Sequence, residues 1–126
     1  MEAMAVWRGW VVDGLFGLGT TRPLEGPALA WVRALNASGL PVLALDLPSG
    51  LDPSSAEIPG EAVRATRTAC FGFRKVCHGL MPAREACGEI TVVPIPLDRV
   101  PSAAMQLLER PVLPARAWDA HKGSFG

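Results

Sequence analysis

The stretch Pro41-Val42-Leu43-Ala44-Leu45, closed by Asp46, constrains the fold more than any other part of this chain. A run with no polar face needs burial on both sides if it forms a strand, and parallel sheets are where strands are buried that way. Just upstream, Glu25 to Ser38 carries Leu29, Val32 and Leu35 at steps of three and four, with Ala28 beside them and Gly39 as the stop. That spacing predicts a helix with one apolar face. Ahead of it, Trp10-Val11-Val12 is a short β-type run that stops at Asp13-Gly14. Strand, helix and strand in this order predict a right-handed βαβ unit.

Further along, Thr66 to Phe71 and Glu89 to Val93 read as two more strands, with a short turn of helix between them near Pro82 to Ala86. Ser102 to Glu109 reads as a final short helix, and the Pro-, Ala- and Gly-rich stretch from Pro111 to Gly126 as a linker. The class is α/β with a mostly parallel sheet. One long helix is too few for it, because a parallel sheet is apolar on both faces and needs helices on both. One face is expected to be poorly covered.

The chain has 126 residues, of which 49% are hydrophobic and 19% charged, enough apolar material for one packed domain. Lys+Arg and Asp+Glu both number 12, a balance that argues against nucleic acid or an anionic membrane as the main partner. No apolar run approaches the ~20 residues of a membrane span. The opening Met1 to Arg8 has neither a basic n-region nor a signal h-region, which predicts a cytoplasmic protein. Cys70, Cys77 and Cys87 form no C-x-x-C pair and read as buried small hydrophobes rather than a disulfide framework or a zinc site.

In open parallel sheets, ligands bind beyond the carboxyl ends of the strands. Asp13 and Asp46 close the first two strands, and Ser49 follows on the same rim. Two carboxylates and a hydroxyl suit a hard cation, or an acid/base pair. Turn-forming and loop-capping aspartates would look the same in sequence. The loop Gly17-Leu18-Gly19-Thr20-Thr21-Arg22-Pro23 offers close backbone approach, hydroxyls and a guanidinium, all suited to a phosphate, while structural turns explain it equally well. It is not a dinucleotide fingerprint, since Arg22 replaces the third glycine and no acid lies about 20 residues on. That speaks against an ordinary NAD-dependent oxidoreductase. Pro48-Ser49-Gly50 lacks the G-x-S-x-G of a hydrolase elbow. His78, near Lys75 and Cys77 without an evident acid partner, reads as a solvated loop histidine, and His121 as part of a domain junction.

Asp13-Gly14-Leu15-Phe16-Gly17-Leu18-Gly19 and Arg22-Pro23-Leu24-Glu25-Gly26-Pro27 resemble the amino-terminal domain of the bacterial NAD(P)H-hydrate repair enzymes. Leu35 through Asp52, then Phe71-Gly72, Lys75, Gly79-Leu80 and Gly88-Glu89, extend the resemblance over roughly residues 10 to 97. It implies an NAD(P)HX epimerase, interconverting the R and S forms of hydrated NADH and NADPH, with a Rossmann-like three-layer α/β/α fold and a bound potassium ion. Carried over position by position, Asp13 and Ser49 match potassium ligands. Gly17, Leu18, Gly19, Thr20, Thr21, Arg22 and Pro23 match the loop that holds the hydrated dinucleotide. Asp46 matches a substrate contact and is the candidate for acid/base work at the epimerising carbon.

Asp119 to Gly126 resembles the opening of the ADP- or ATP-dependent dehydratase domain that follows the epimerase in bifunctional members. The family's amino-terminal half, with its Asn-Asn-Gly-Gly-Asp segment, has no counterpart here. The resemblance therefore implies the carboxy-terminal part of an epimerase-like domain over 1–110, and a linker with the start of a dehydratase-like domain over 111–126. The substrate implied is the small molecule NAD(P)HX. Association through the uncovered sheet face, as a homo-oligomer or with a partner, follows from the missing layer. A non-catalytic binding or scaffold module from a truncated repair enzyme is the alternative.

Overall fold

The computed structural model describes residues 8–16 and 21–96. Four strands form one sheet in the order β1-β2-β3-β4: β1 (Val11–Asp13), β2 (Val42–Leu45), β3 (Arg67–Phe71) and β4 (Glu89–Val93). Every neighbouring pair is parallel. Helix α1 (Gly26–Ala37) connects β1 to β2, and a single 3-10 turn at Val76–His78 with the short α2 (Ala83–Ala86) lies between β3 and β4. All four expected strands form within a residue or two of their predicted bounds. The helix and turn expected around them form as well. The predicted helix Ser102 to Glu109, the tail from Pro111 and His121 lie outside the described residues.

The register sorts the strand residues onto two faces. Val11 and Asp13 stand beside Val42 and Ala44, and Ala44 beside Thr68 and then Ile90. This face is buried. Val32 and Leu35 of α1 pack there with Val42 and Val63, flanked by Val11 and Leu29. Ala83 and Ala86 of α2 pack with Leu47, Leu51, Cys77 and Cys87, flanked by Ile90. Both clusters therefore sit on one side of the sheet.

The opposite face carries Val12, Leu43, Arg67 and Glu89 in one row and Leu45, Ala69 and Thr91 in the next. Val12 is 58% exposed and Leu45 36%. The strand order explains the asymmetry. A sheet that adds each new strand on the same side, through right-handed crossovers, sends every connection over the same face. The uneven cover expected from the helix count is what the described residues adopt.

Candidate functional site

The parallel pairing of β1 with β2 and β2 with β3 brings three chain reversals to one edge of the sheet. Asp13 ends β1, Asp46 follows β2, and the loop after β3 carries Lys75 and His78.

Asp13 is 3% exposed. Its Oδ2 accepts the Ser49 amide at 2.8 Å and its Oδ1 accepts the Ser49 hydroxyl at 2.6 Å. The Ser49 Oγ in turn accepts the Phe16 amide at 3.1 Å. Two residues 36 apart in sequence are thus locked together behind the first two strands. Among the described residues, no ion pair involves this buried carboxylate. Among the described residues its donors are the neutral Ser49 amide and hydroxyl and the Leu15 amide. The Asp13 carboxylate and the Ser49 hydroxyl are oxygen groups of the kind that a hard cation such as potassium takes.

Asp46 has φ 69°, the only described non-glycine residue in the left-handed region. Aspartate tolerates that region better than most residues, yet it is a sparsely populated one. The conformation is held from several sides. The Asp46 amide donates to the Ala69 carbonyl at 2.7 Å, and the Leu47 amide reaches back to Leu45 at 2.9 Å. On the side chain, Oδ1 accepts the Lys75 ammonium at 2.6 Å and the Phe71 amide at 3.2 Å.

His78 is fully buried, which corrects its reading as a solvated loop residue. The 3-10 turn folds it inward, where the Lys75 amide donates to Nδ1 at 2.9 Å and Nε2 lies 2.8 Å from the Asp46 carbonyl. Since Nδ1 is the acceptor, Nε2 carries the proton and donates to Asp46. The missing acid partner is thus a backbone carbonyl, a group that sequence alone does not reveal. Lys75 was legible as part of the motif-bearing stretch, but not as the partner of Asp46.

Burial pushes the His78 pKa below its ordinary value of 6.5, although its bond to the Asp46 carbonyl opposes the shift; Lys75, Asp46 and Arg74 supply the surrounding charges. Below pH 6.5 the unfolded chain accepts a proton that the folded chain resists. This part of the stability is therefore present above 6.5 and is lost as pH falls from there toward the lowered folded value, at no more than ~1.4 kcal/mol per pH unit. Urea midpoints measured at about pH 7.5 and about pH 5 should fall more steeply in the wild type than in His78→Gln. Equal declines would show that His78 does not supply the pH dependence.

The three cysteines are free and buried, as expected. Burial pushes Cys77 up to about 12 and Cys87 up to about 11, so neither is a thiolate near neutral pH. No group of three or more His, Cys, Asp or Glu side chains that could hold a metal ion occurs among the described residues. No described helix is long and apolar enough to cross a membrane.

Of the glycine-rich loop, Thr21, Arg22 and Pro23 are exposed, while Gly17, Leu18, Gly19 and Thr20 lie outside the described residues. Asp13 and Ser49 meet directly, and Asp46 lies on the same sheet edge but is engaged by Lys75 and His78 instead.

A sequence model of the family described as YjeF-related protein N-terminus matches residues 3–77. The chain is 41% identical over 120 residues to a protein of Thermofilum pendens named bifunctional NAD(P)H-hydrate repair enzyme Nnr, a match covering 92% of this chain and 23% of that protein. A protein of the same name from Coxiella burnetii is 39% identical over 92% of this chain and 25% of its own length. The NAD(P)H-hydrate epimerase of Achromobacter xylosoxidans is 46% identical over 64% of this chain and 39% of its own length. The chain thus spans well under half the length of each of these relatives. On the extent of the family match, supported by these identities, the chain belongs to the YjeF-related protein N-terminus family.

Proposed function

We propose that this chain works in NAD(P)H-hydrate repair as an epimerase, interconverting the R and S forms of NAD(P)HX in a potassium-dependent manner. The observation that carries the reading is the meeting of Asp13 and Ser49 at the sheet edge that also bears Asp46. Asp13 and Ser49 would hold the potassium ion, which when bound supplies a positive charge beside the buried carboxylate. The loop from Gly17 to Pro23 would hold the dinucleotide, with the Arg22 guanidinium available to a phosphate.

Water added to an enamine leaves a hydroxyl on the carbon next to nitrogen. Such a carbon inverts when the hydroxyl loses its proton, the carbon–nitrogen bond opens to a carbonyl, and the nitrogen re-adds on the opposite face. Asp46 is the group in this reading that takes and returns the hydroxyl proton.

The test is R-to-S interconversion of NADHX by the purified chain, with potassium present and with it replaced by lithium. Turnover that falls on replacement is expected. A folded chain with no turnover in potassium would overturn the epimerase reading and leave the binding or scaffold module.

That second reading is favoured by the open sheet face, where Val12 and Leu45 are exposed beside Leu43 and Ala69. Contiguous apolar surface of this kind marks an interaction site. The chain is expected to associate with its own copies through this face and to bind a hydrophobic dye. Sedimentation of Val12→Lys/Leu45→Lys as a monomer, with the wild type larger, is the expected result. A monomeric wild type that binds no dye would sink the association.

A further inference from the structure

We propose that Lys75 and His78 are positioning residues for Asp46, Lys75 by occupying Oδ1 so that Oδ2 is left for the substrate, and His78 by holding the backbone carbonyl that keeps Asp46 left-handed. The inference rests on the epimerase reading of Asp46 and assigns to that site two residues outside its expected ligand and substrate set.

Both contacts recorded for the Asp46 carboxylate among the described residues fall on Oδ1, one from the Lys75 ammonium and one from the Phe71 amide. Oδ2 receives neither. A carboxylate gripped on one oxygen is oriented and presents the other as the proton acceptor. The Lys75 and Asp46 side chains are 10% and 14% exposed, so water competes little for the pair. Lys75 is itself fixed, for its ammonium also donates to the Phe71 carbonyl at 3.2 Å and lies 5.0 Å from the centre of the Phe73 ring.

His78 acts on the backbone. Its Nε2–H reaches the Asp46 carbonyl, and its Nδ1 takes the amide of Lys75, so one neutral ring ties the two partners' main chains together. A turn alone needs less than this, since glycine or asparagine fills a left-handed position without a buried ion pair or a buried imidazole. Backbone strain held from several directions is characteristic of working sites.

The experiment is a kinetic cycle on the full chain with Lys75→Met, Asp46→Asn and the double variant, read as kcat and KM for NADHX. Lys75→Met is expected to lower kcat by roughly 10- to 100-fold with KM changed by less than about threefold, the pattern of misplaced catalytic geometry. Lys75→Arg should restore part of the loss, and the double variant should be no slower than Asp46→Asn. Unchanged kcat in Lys75→Met, a loss confined to KM, or losses that multiply in the double variant would each overturn the proposal while leaving Asp46 its role. Nitrogen-15 NMR of the substrate-free chain adds a readout independent of turnover. A slowly exchanging Lys75 ammonium that disappears in Asp46→Asn, and a His78 ring protonated on Nε2 alone, are expected. Absence of either signal overturns the geometry. Both signals in a chain without turnover would bring down the epimerase reading, and this inference with it.

Discussion

Asp46→Asn is expected to lower NADHX epimerisation by about 10²- to 10⁴-fold, the range that a positioned acid/base group contributes. Asparagine keeps an oxygen at Oδ1 for Lys75 and the Phe71 amide, and it adopts the left-handed region as readily as aspartate. The variant therefore changes the proton-accepting capacity of the side chain and little of its surroundings. Rates measured beside a urea unfolding curve separate lost chemistry from lost folding. Undiminished turnover in a folded Asp46→Asn chain would exclude the carboxylate as the acid/base group.

Gly50→Ala should produce a large loss of stability from a single added methyl. Gly50 has φ 103°, where side chains are strained. A Cβ there would come within 2.5 Å of the Glu61 carbonyl oxygen and 2.8 Å of the Ala62 Cα. Both are backbone atoms, so no rotamer change relieves the clash. Strain and overpacking together are expected to cost ~2–4 kcal/mol. The neighbouring Ser49 carbonyl accepts the Val63 amide at 2.8 Å, so the displaced segment is the one that holds Ser49 against Asp13. The variant should lower the urea midpoint with the slope of the transition unchanged. A midpoint equal to that of the wild type would show that the segment from Ser49 to Ala62 yields freely.

Both substitutions lie just beyond the apolar run that predicted a buried parallel strand, in the loop that follows it. Val42 and Ala44 face the helices and are buried, while Leu43 and Leu45 lie on the face that no described helix covers. The run looked two-sided in sequence because both faces are apolar, and among the described residues only one of them is packed by helices. The helix deficit was legible from spacing alone, but the side left open depended on the order in which the strands join.

Local pattern determined the elements of this protein. Apolar runs, three- and four-residue spacing and glycine stops act over a few residues and need no tertiary partner, so β1 to β4, α1 and the α2 turn could be read directly. The candidate residues Asp13, Asp46 and Ser49 were legible too, because strand ends in a parallel sheet are where such groups gather. What the tertiary structure decided was which residues meet. Ser49 crosses 36 positions to satisfy Asp13, and Lys75 crosses 29 to reach Asp46. His78 became a buried neutral ring because its partners are an amide and a carbonyl of the main chain, which every residue carries and no sequence motif can announce.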